Sequence, residues 1–223
     1  WSNGNTSANP TGLTAGAYTV TVTNSNTCTA TQTFNVTQSP QLTGSIQNQT
    51  NYFGYNVSCF ENNADGSTLV TVSGGTPGYT YLWNNGMTNN FIFSLTAGTY
   101  SVVVTDSLGC TLNLSTVLTK PPKLELNLTG TNVQCFGESN GNVTVTPTGG
   151  VAPYTYFWNN GPQTAQLTNL SAGQYIVSVY DANFCLAQDT ITILAPSFPL
   201  EFAANTVDVL CTGENTGSIF VSP

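Results

Sequence analysis

Histidine is absent from this 223-residue chain, and lysine and arginine together number 2. Without an imidazole there is no Ser–His base pair and no histidine metal ligand. Against 10 Asp and Glu, the few cations leave a net charge of −8. Nucleic acid and anionic membrane both require a basic surface, so neither is an expected partner. No apolar run approaches the roughly 20 residues of a membrane span, and no membrane insertion is expected. The Cys residues show no CxxC spacing, which argues against zinc.

What remains is 39% hydrophobic and 11% aromatic, with only 5% charged residues. Thr, Ser, Asn and Gln must therefore supply the solvent-facing polar groups. A secreted β protein has this composition. The first residue is Trp1, and the phase of the repeats described next suggests that the chain opens inside a unit. A targeting signal could then lie outside these residues.

Three Trp residues set a register. Trp1, Trp83 and Trp158 are each followed 27 residues later by Cys28, Cys110 and Cys185. A second set, Cys59, Cys135 and Cys211, recurs every 76 residues. The segments between these marks align. GLTAGAYTVTVTNSNTC (12–28) matches SLTAGTYSVVVTDSLGC (94–110) and NLSAGQYIVSVYDANFC (169–185). VSGGTPGYTYLWNNG (72–86) matches PTGGVAPYTYFWNNG (147–161), and VSCFENNADGSTLV (57–70) matches VQCFGESNGNVTV (133–145) and VLCTGENTGSIFV (209–221). Self-similarity at this period predicts an array of units. The phase gives a C-terminal half repeat at 1–40, complete repeats at 41–121 and 122–197, and an N-terminal half repeat at 198–223. Pro40, Pro121, Pro122 and Pro196 mark the junctions, where strands should end.

Tyr79, Tyr81 and Trp83 alternate with Thr80 and Leu82. Tyr100, Val102 and Val104 alternate with Ser101, Val103 and Thr105. Turn signals such as SGGTPG, NNG and DSLG separate these runs. No segment has useful helical periodicity. The expected fold class is all-β: tandem immunoglobulin-like (PKD-like) β-sandwich repeats of about seven short strands each. The Trp residues are expected to fill the cores rather than to stack on sugars.

The motifs VxCF, SGGTPGYTYLWNNG and LTAGTYSVVVTDSLGC resemble the SprB-type repeat of Bacteroidota surface adhesins. The resemblance covers both complete and both partial repeats. It departs at an insertion, NQTNYFGYN (48–56), and at Thr212, where the equivalents are Phe60 and Phe136. It implies export by type IX secretion, attachment to the outer membrane, and a long cell-surface protein with roles in adhesion and gliding motility. The implied partners are neighbouring repeats, surface polysaccharide, and outer-membrane gliding or secretion components. It also makes Ser107 and Thr190 O-glycosylation candidates, through the patterns Asp106-Ser107-Leu108 and Asp189-Thr190-Ile191. Turn and strand roles serve those residues equally well.

Two Cys per repeat point to an oxidising compartment and to disulfides among Cys28, Cys59, Cys110, Cys135, Cys185 and Cys211. Pairing within repeats would join Cys59 to Cys110 and Cys135 to Cys185. In a sandwich of this strand order, however, the two Cys of one repeat lie at opposite poles, roughly 20–30 Å apart. A disulfide needs Cα atoms within about 7 Å. Facing poles of successive repeats would instead bring Cys59 to Cys185, an inter-repeat staple, with Cys28 and Cys211 pairing outside this chain. Free buried thiols are a third option.

No cofactor is expected. The loops 61–66 and 137–141 suggest calcium, but each offers one or two carboxylates against the about six to eight oxygens Ca²⁺ takes. Asx-Gly there equally satisfies a tight turn. Asp106 and Asp181 occupy equivalent positions where the first half repeat has Asn24, which favours a turn former over a catalyst. No paired acids face one cleft, and no enzyme activity is expected. Lys120 and Lys123 sit at one junction, where pairing with Glu125 would add about 0–1 kcal/mol.

Three functions remain open. The chain could be a stalk or adhesive array that multiplies weak contacts. It could bind carbohydrate through Tyr52, Phe53 and Tyr55 in the single-copy insertion. It could also be a self-assembling filament subunit whose half repeats complete one another by strand addition.

Overall fold

A computed structural model describes residues 1–222 except 62, 160, 210 and 214. The strands come in one pattern, stated twice in full. β1 (Gly16–Thr23) and β2 (Thr29–Val36) form a hairpin. The first complete set is β3 (Thr43–Asn48), β4 (Gly66–Ser73), β5 (Thr80–Trp83), β6 (Phe91–Leu95), β7 (Gly98–Thr105) and β8 (Thr111–Leu118). The second is β9 (Glu125–Thr131), β10 (Gly141–Thr148), β11 (Thr155–Trp158), β12 (Gln166–Leu170), β13 (Gly173–Tyr180) and β14 (Leu186–Ile193). β15 (Ala203–Val207) pairs with β16 (Ser218–Ser222). No helix occurs among the described residues.

Each complete set makes two three-stranded sheets, ordered β3-β4-β6 with β5-β7-β8, and β12-β10-β9 with β11-β13-β14. Lettered as an immunoglobulin sandwich, these are A-B-E and C-F-G. The expected strand count was about seven, and six form among the described residues. Residues 84–90 carry the chain directly from β5 to β6, a tight turn in which Trp83 N–H donates to the Met87 carbonyl oxygen at 3.0 Å. That turn leaves no span for a strand D.

The period-2 pattern decides the core. In β13, Tyr175, Val177 and Val179 are buried while Gln174 is exposed. They pack with Val143, Val145, Trp158, Leu167, Leu170 and Ile193. Trp83 and Trp158 are buried, and each indole N–H donates to the carbonyl six residues on, Asn89 at 2.8 Å and Thr164 at 2.9 Å. Trp1 makes the same bond to Ser7 at 2.9 Å. It is only half-buried, against Phe34 with ring centroids 6.0 Å apart. The expectation of three core Trp residues therefore holds for two.

Two further bonds fit the sandwich. Tyr175 on strand F donates its hydroxyl to the Ser171 carbonyl oxygen at 2.9 Å, and Tyr18 donates to Thr14 at 2.9 Å. Such a link from early strand F back to the preceding corner is the tyrosine corner of immunoglobulin sandwiches. The Gly-Gly pair of the SGG and TGG motifs also has a steric cause. Gly74 and Gly149 adopt φ of 73° and 70°. A Cβ there would run into the carbonyl oxygen of Gln41 or Lys123.

By contact density the chain falls into two compact units. One gathers Trp1–Gln47, Thr68–Ile92 and Thr99–Thr116; the other gathers Asn48–Ser67, Phe93–Gly98 and Val117–Pro223. These units divide the chain by contact, whereas the repeats divide it by sequence pattern. The second unit places the loop bearing Cys59 together with residues 122–197.

Candidate functional site

The site lies within the second compact unit. It brings the A–B loop of the first complete repeat onto the F–G turn of the next. Val57 is buried and anchors the loop, its N–H donating to the Thr119 carbonyl oxygen at 3.0 Å. The next residue, Ser58, is buried and uses all of its polar groups. Its N–H donates to Asp65 Oδ1 at 3.1 Å, its hydroxyl accepts from Asn63 Nδ2 at 2.8 Å, and its carbonyl oxygen accepts from Asn183 Nδ2 at 2.9 Å. Ser58 thereby holds Cys59 in place.

The facing turn is an Asx turn. Asp181 Oδ1 accepts from the N–H groups of Asn183 at 2.8 Å and Cys185 at 2.9 Å, while Oδ2 accepts from Val151 at 2.9 Å. The turn requires a left-handed residue before the Cys, and Phe184 adopts φ 62° there. Cys59 and Cys185 are joined, with Cα atoms 5.7 Å apart across 126 residues of sequence. Of the pairings considered from the sequence, the inter-repeat staple is the one present. Cys28, Cys110, Cys135 and Cys211 are free, and all four are exposed, unlike the buried thiols of the third option.

Lys120 meets the same loop from the other side. Its ammonium donates to the Phe60 carbonyl oxygen at 2.9 Å and lies 3.9 Å from the Phe60 ring centroid. Nothing in the sequence periodicity marks this contact; a lone cation between a strand end and Pro121 was the available signal. Lys123 reaches Glu125 at 4.0 Å, both half-exposed or more, so the pair adds little. A groove of about 590 Å³ opens beside the disulfide, lined in part by Phe60, Glu61, Lys123, Leu124, Phe184 and Gln188.

Other predicted residues lie elsewhere. Asp106 is buried and forms the equivalent Asx turn, accepting from Thr76 N–H at 2.9 Å, Cys110 N–H at 2.8 Å and Leu108 N–H at 3.0 Å. The Thr76 N–H foremost, against the opposing effect of burial, and then those of Cys110 and Leu108 hold its carboxyl below the usual aspartate value. Asn24 makes the same turn with Asn26 and Cys28. These acids serve as turn formers. In the calcium candidate loops, Asp65 caps Ser58, and Asn140 Oδ1 accepts from Gln134 N–H at 3.0 Å; Asn62 lies outside the described residues. Among those described, no three His, Cys, Asp or Glu gather as a metal site would need.

In the insertion, Tyr52 and Tyr55 bridge each other and are half-buried, while Phe53 stands 67% exposed at φ 53°. Burial, and then the neighbouring Asp65 carboxylate, push the Tyr52 hydroxyl up. Ser107 and Thr190 are both exposed. Ser107 donates its hydroxyl to the Thr76 carbonyl oxygen at 3.4 Å, and the Thr190 N–H donates to Asp189 Oδ1 at 2.7 Å.

Fold and site together define a tandem array of immunoglobulin-like sandwiches, in which a loop of one repeat is bonded covalently to a turn of the next. The family model of the SprB repeat matches residues 55–88 and 127–163, one segment in each complete repeat. Each matched segment contains an A–B loop Cys and a core Trp. No curated protein matches the chain. Similar solved structures include a C-terminal fragment of intimin in complex with the intimin-binding domain of its translocated receptor. It is 15% identical with a TM-score of 0.31, and the match covers 85% of this chain and 59% of that one. Another is the N-terminal four Ig domains of Dscam1 isoform 9.44, also 15% identical, with a TM-score of 0.30 and coverage of 75% and 51%. The chain thus spans little more than half the length of either.

Proposed function

We propose that this chain is a stretch of the repeat array of a long secreted cell-surface adhesin, exported by type IX secretion and serving surface attachment and gliding motility. The Cys59–Cys185 bond is the observation that supports a load-bearing role most directly. Tension entering before Cys59 and leaving after Cys185 passes through the disulfide, so residues 60–184 need not unfold to carry it. An array anchored at the outer membrane and holding a distant surface under shear would use that property. The repeated sandwiches act as structural and adhesive modules without catalysis, and their pairing with neighbouring repeats multiplies weak contacts with surface polysaccharide.

Antibodies raised against the folded chain should label intact cells, and brief surface proteolysis should remove the label. In-frame deletion of the repeats should reduce both attachment under flow and gliding speed. A purely intracellular signal would overturn the proposal, as would unchanged attachment and gliding after deletion.

Phe53 supports a second reading. A large aromatic held open on a loop closed by the Tyr52–Tyr55 bridge is what a sugar-stacking site presents. Glycan-array binding that Phe53→Ala abolishes would establish it. Binding that survives this change, or no binding at all, would remove it.

A further inference from the structure

The Cys59–Cys185 junction is one instance of a docking rule whose two halves recur elsewhere in the chain. The first half is the thiol-presenting turn. Around Cys185, the acid at the first turn position accepts from the N–H groups two and four residues on. Asp106 does so for Leu108 and Cys110, and Asn24 for Asn26 at 2.9 Å and Cys28 at 3.0 Å. In all three turns the first N–H donates back to the Cys carbonyl oxygen, at 3.0–3.1 Å. All three hold the residue before Cys at positive φ: Thr27, Gly109 and Phe184 at 65°, 85° and 62°. Three turns thus share one backbone geometry up to the Cys.

The second half is the receiving loop. At Cys59, Val57 is buried and tied to Thr119, and the Ser58 N–H is capped by Asp65. At Cys135, Val133 is buried and tied to the Leu194 carbonyl oxygen at 2.9 Å, and the Gln134 N–H is capped by Asn140. The Cys135 loop is therefore built like the loop already seen occupied, and its thiol is exposed.

Besides the disulfide, the seated turn is held by a hydrogen bond from Asn183 Nδ2 to the Ser58 carbonyl oxygen. The receiving atom belongs to the backbone, so Gln134 offers the same acceptor. On the presenting side, the residue equivalent to Asn183 is Asn26 in the Cys28 turn and Leu108 in the Cys110 turn. Only the first of these can repeat the contact.

We propose that the Gln134-Cys135 loop is a docking site for the Asn26-Thr27-Cys28 turn of a second copy of this chain. The contact is head-to-tail: a loop thiol takes a turn thiol, and like does not pair with like. An interface of this heterologous kind propagates instead of closing. The bond forms by thiol–disulfide exchange with a disulfide oxidant such as oxidised glutathione. The Cys28 thiolate attacks the oxidant and releases one glutathione thiolate. The Cys135 thiolate then attacks the Cys28 sulfur and releases the second, so two protein thiols and one glutathione disulfide yield one protein disulfide and two reduced glutathiones.

The test holds the purified 223-residue chain in a glutathione redox buffer, followed by intact mass and peptide mapping without reduction. The expected result is dimers and longer species in which Cys28–Cys135 is the dominant intermolecular peptide, several-fold above Cys110–Cys135. Cys135→Ala should remove it, and Asn26→Leu should bring its share down to that of Cys110–Cys135. Persistence of the Cys59–Cys185 peptide in each variant shows that the fold is kept. Like-with-like links at or above the unlike share overturn the proposal, as do equal shares for Cys28 and Cys110, or monomers carrying only glutathione.

Discussion

The side chain of Asn183 donates to the backbone carbonyl oxygen of Ser58 at 2.9 Å, across 125 residues of sequence. Replacing the amide with an isosteric apolar group leaves that carbonyl without its donor. An unsatisfied buried acceptor costs about 1–3 kcal/mol. Asn183→Leu should lower the melting temperature and speed reduction of Cys59–Cys185 by dithiothreitol, while Asn26→Leu should change neither. Equal reduction rates in parent and Asn183→Leu would show that the contact does not support the staple.

Single-molecule pulling from the two ends should show a redox-dependent contour length. Oxidised, the chain hides the residues between Cys59 and Cys185. The separation of 126 positions, at about 3.3–3.6 Å per extended residue, amounts to roughly 420–450 Å. Reduction should release that length. The same final extension with and without reductant would mean that the bond does not carry the load.

Gly149→Ala should be strongly destabilising. The position combines φ of 70° with a Cβ that would run into the Lys123 carbonyl oxygen. The expected loss is about 2–4 kcal/mol, read by denaturant titration. Gly4→Ala is the control, since it shares a positive φ but would meet nothing within 4 Å; its loss should be smaller. Comparable losses at both sites would leave backbone φ, not the close approach, as the whole cause.

Acid should destabilise the fold partly through Asp106. Its folded-state pKa is depressed by backbone N–H donors, that of Thr76 first. A depressed carboxyl stabilises the fold above its unfolded value of about 3.9, and that contribution is lost as pH falls through the folded value. The melting temperature should therefore drop below about pH 4. Asp106→Asn keeps an acceptor for the turn, as Asn24 does, but cannot titrate. Its melting temperature should start lower and fall less steeply, and a fall as steep as the parent's would assign the acid loss to other groups.

Much of this was legible from residue order. The repeat register, the strands around Tyr79–Trp83 and Tyr100–Val104, the absence of helix and the turn role of Asp106 and Asp181 all follow from local patterns. Alternation with period two, turn residues and Asx chemistry act over a few residues, and sequence displays such rules directly. The strand count was less legible. Omission of strand D depends on how tightly residues 84–90 fold back, and a run of Asn and Gly is compatible with either a turn or a longer link.

What residue order could not settle was which sulfur meets which, and what holds them together. Six Cys with two per repeat allow pairing within a repeat, between repeats, or none. The choice rests on a distance set by how two sandwiches are juxtaposed, and here it is the 5.7 Å between the Cα atoms of Cys59 and Cys185. The same holds for Asn183 on Ser58 and Lys120 on Phe60, contacts spanning 125 and 60 residues. By itself the sequence determined the module and its periodic core. Only the tertiary structure decided the junction, because a junction is made of long-range contacts that no local pattern encodes.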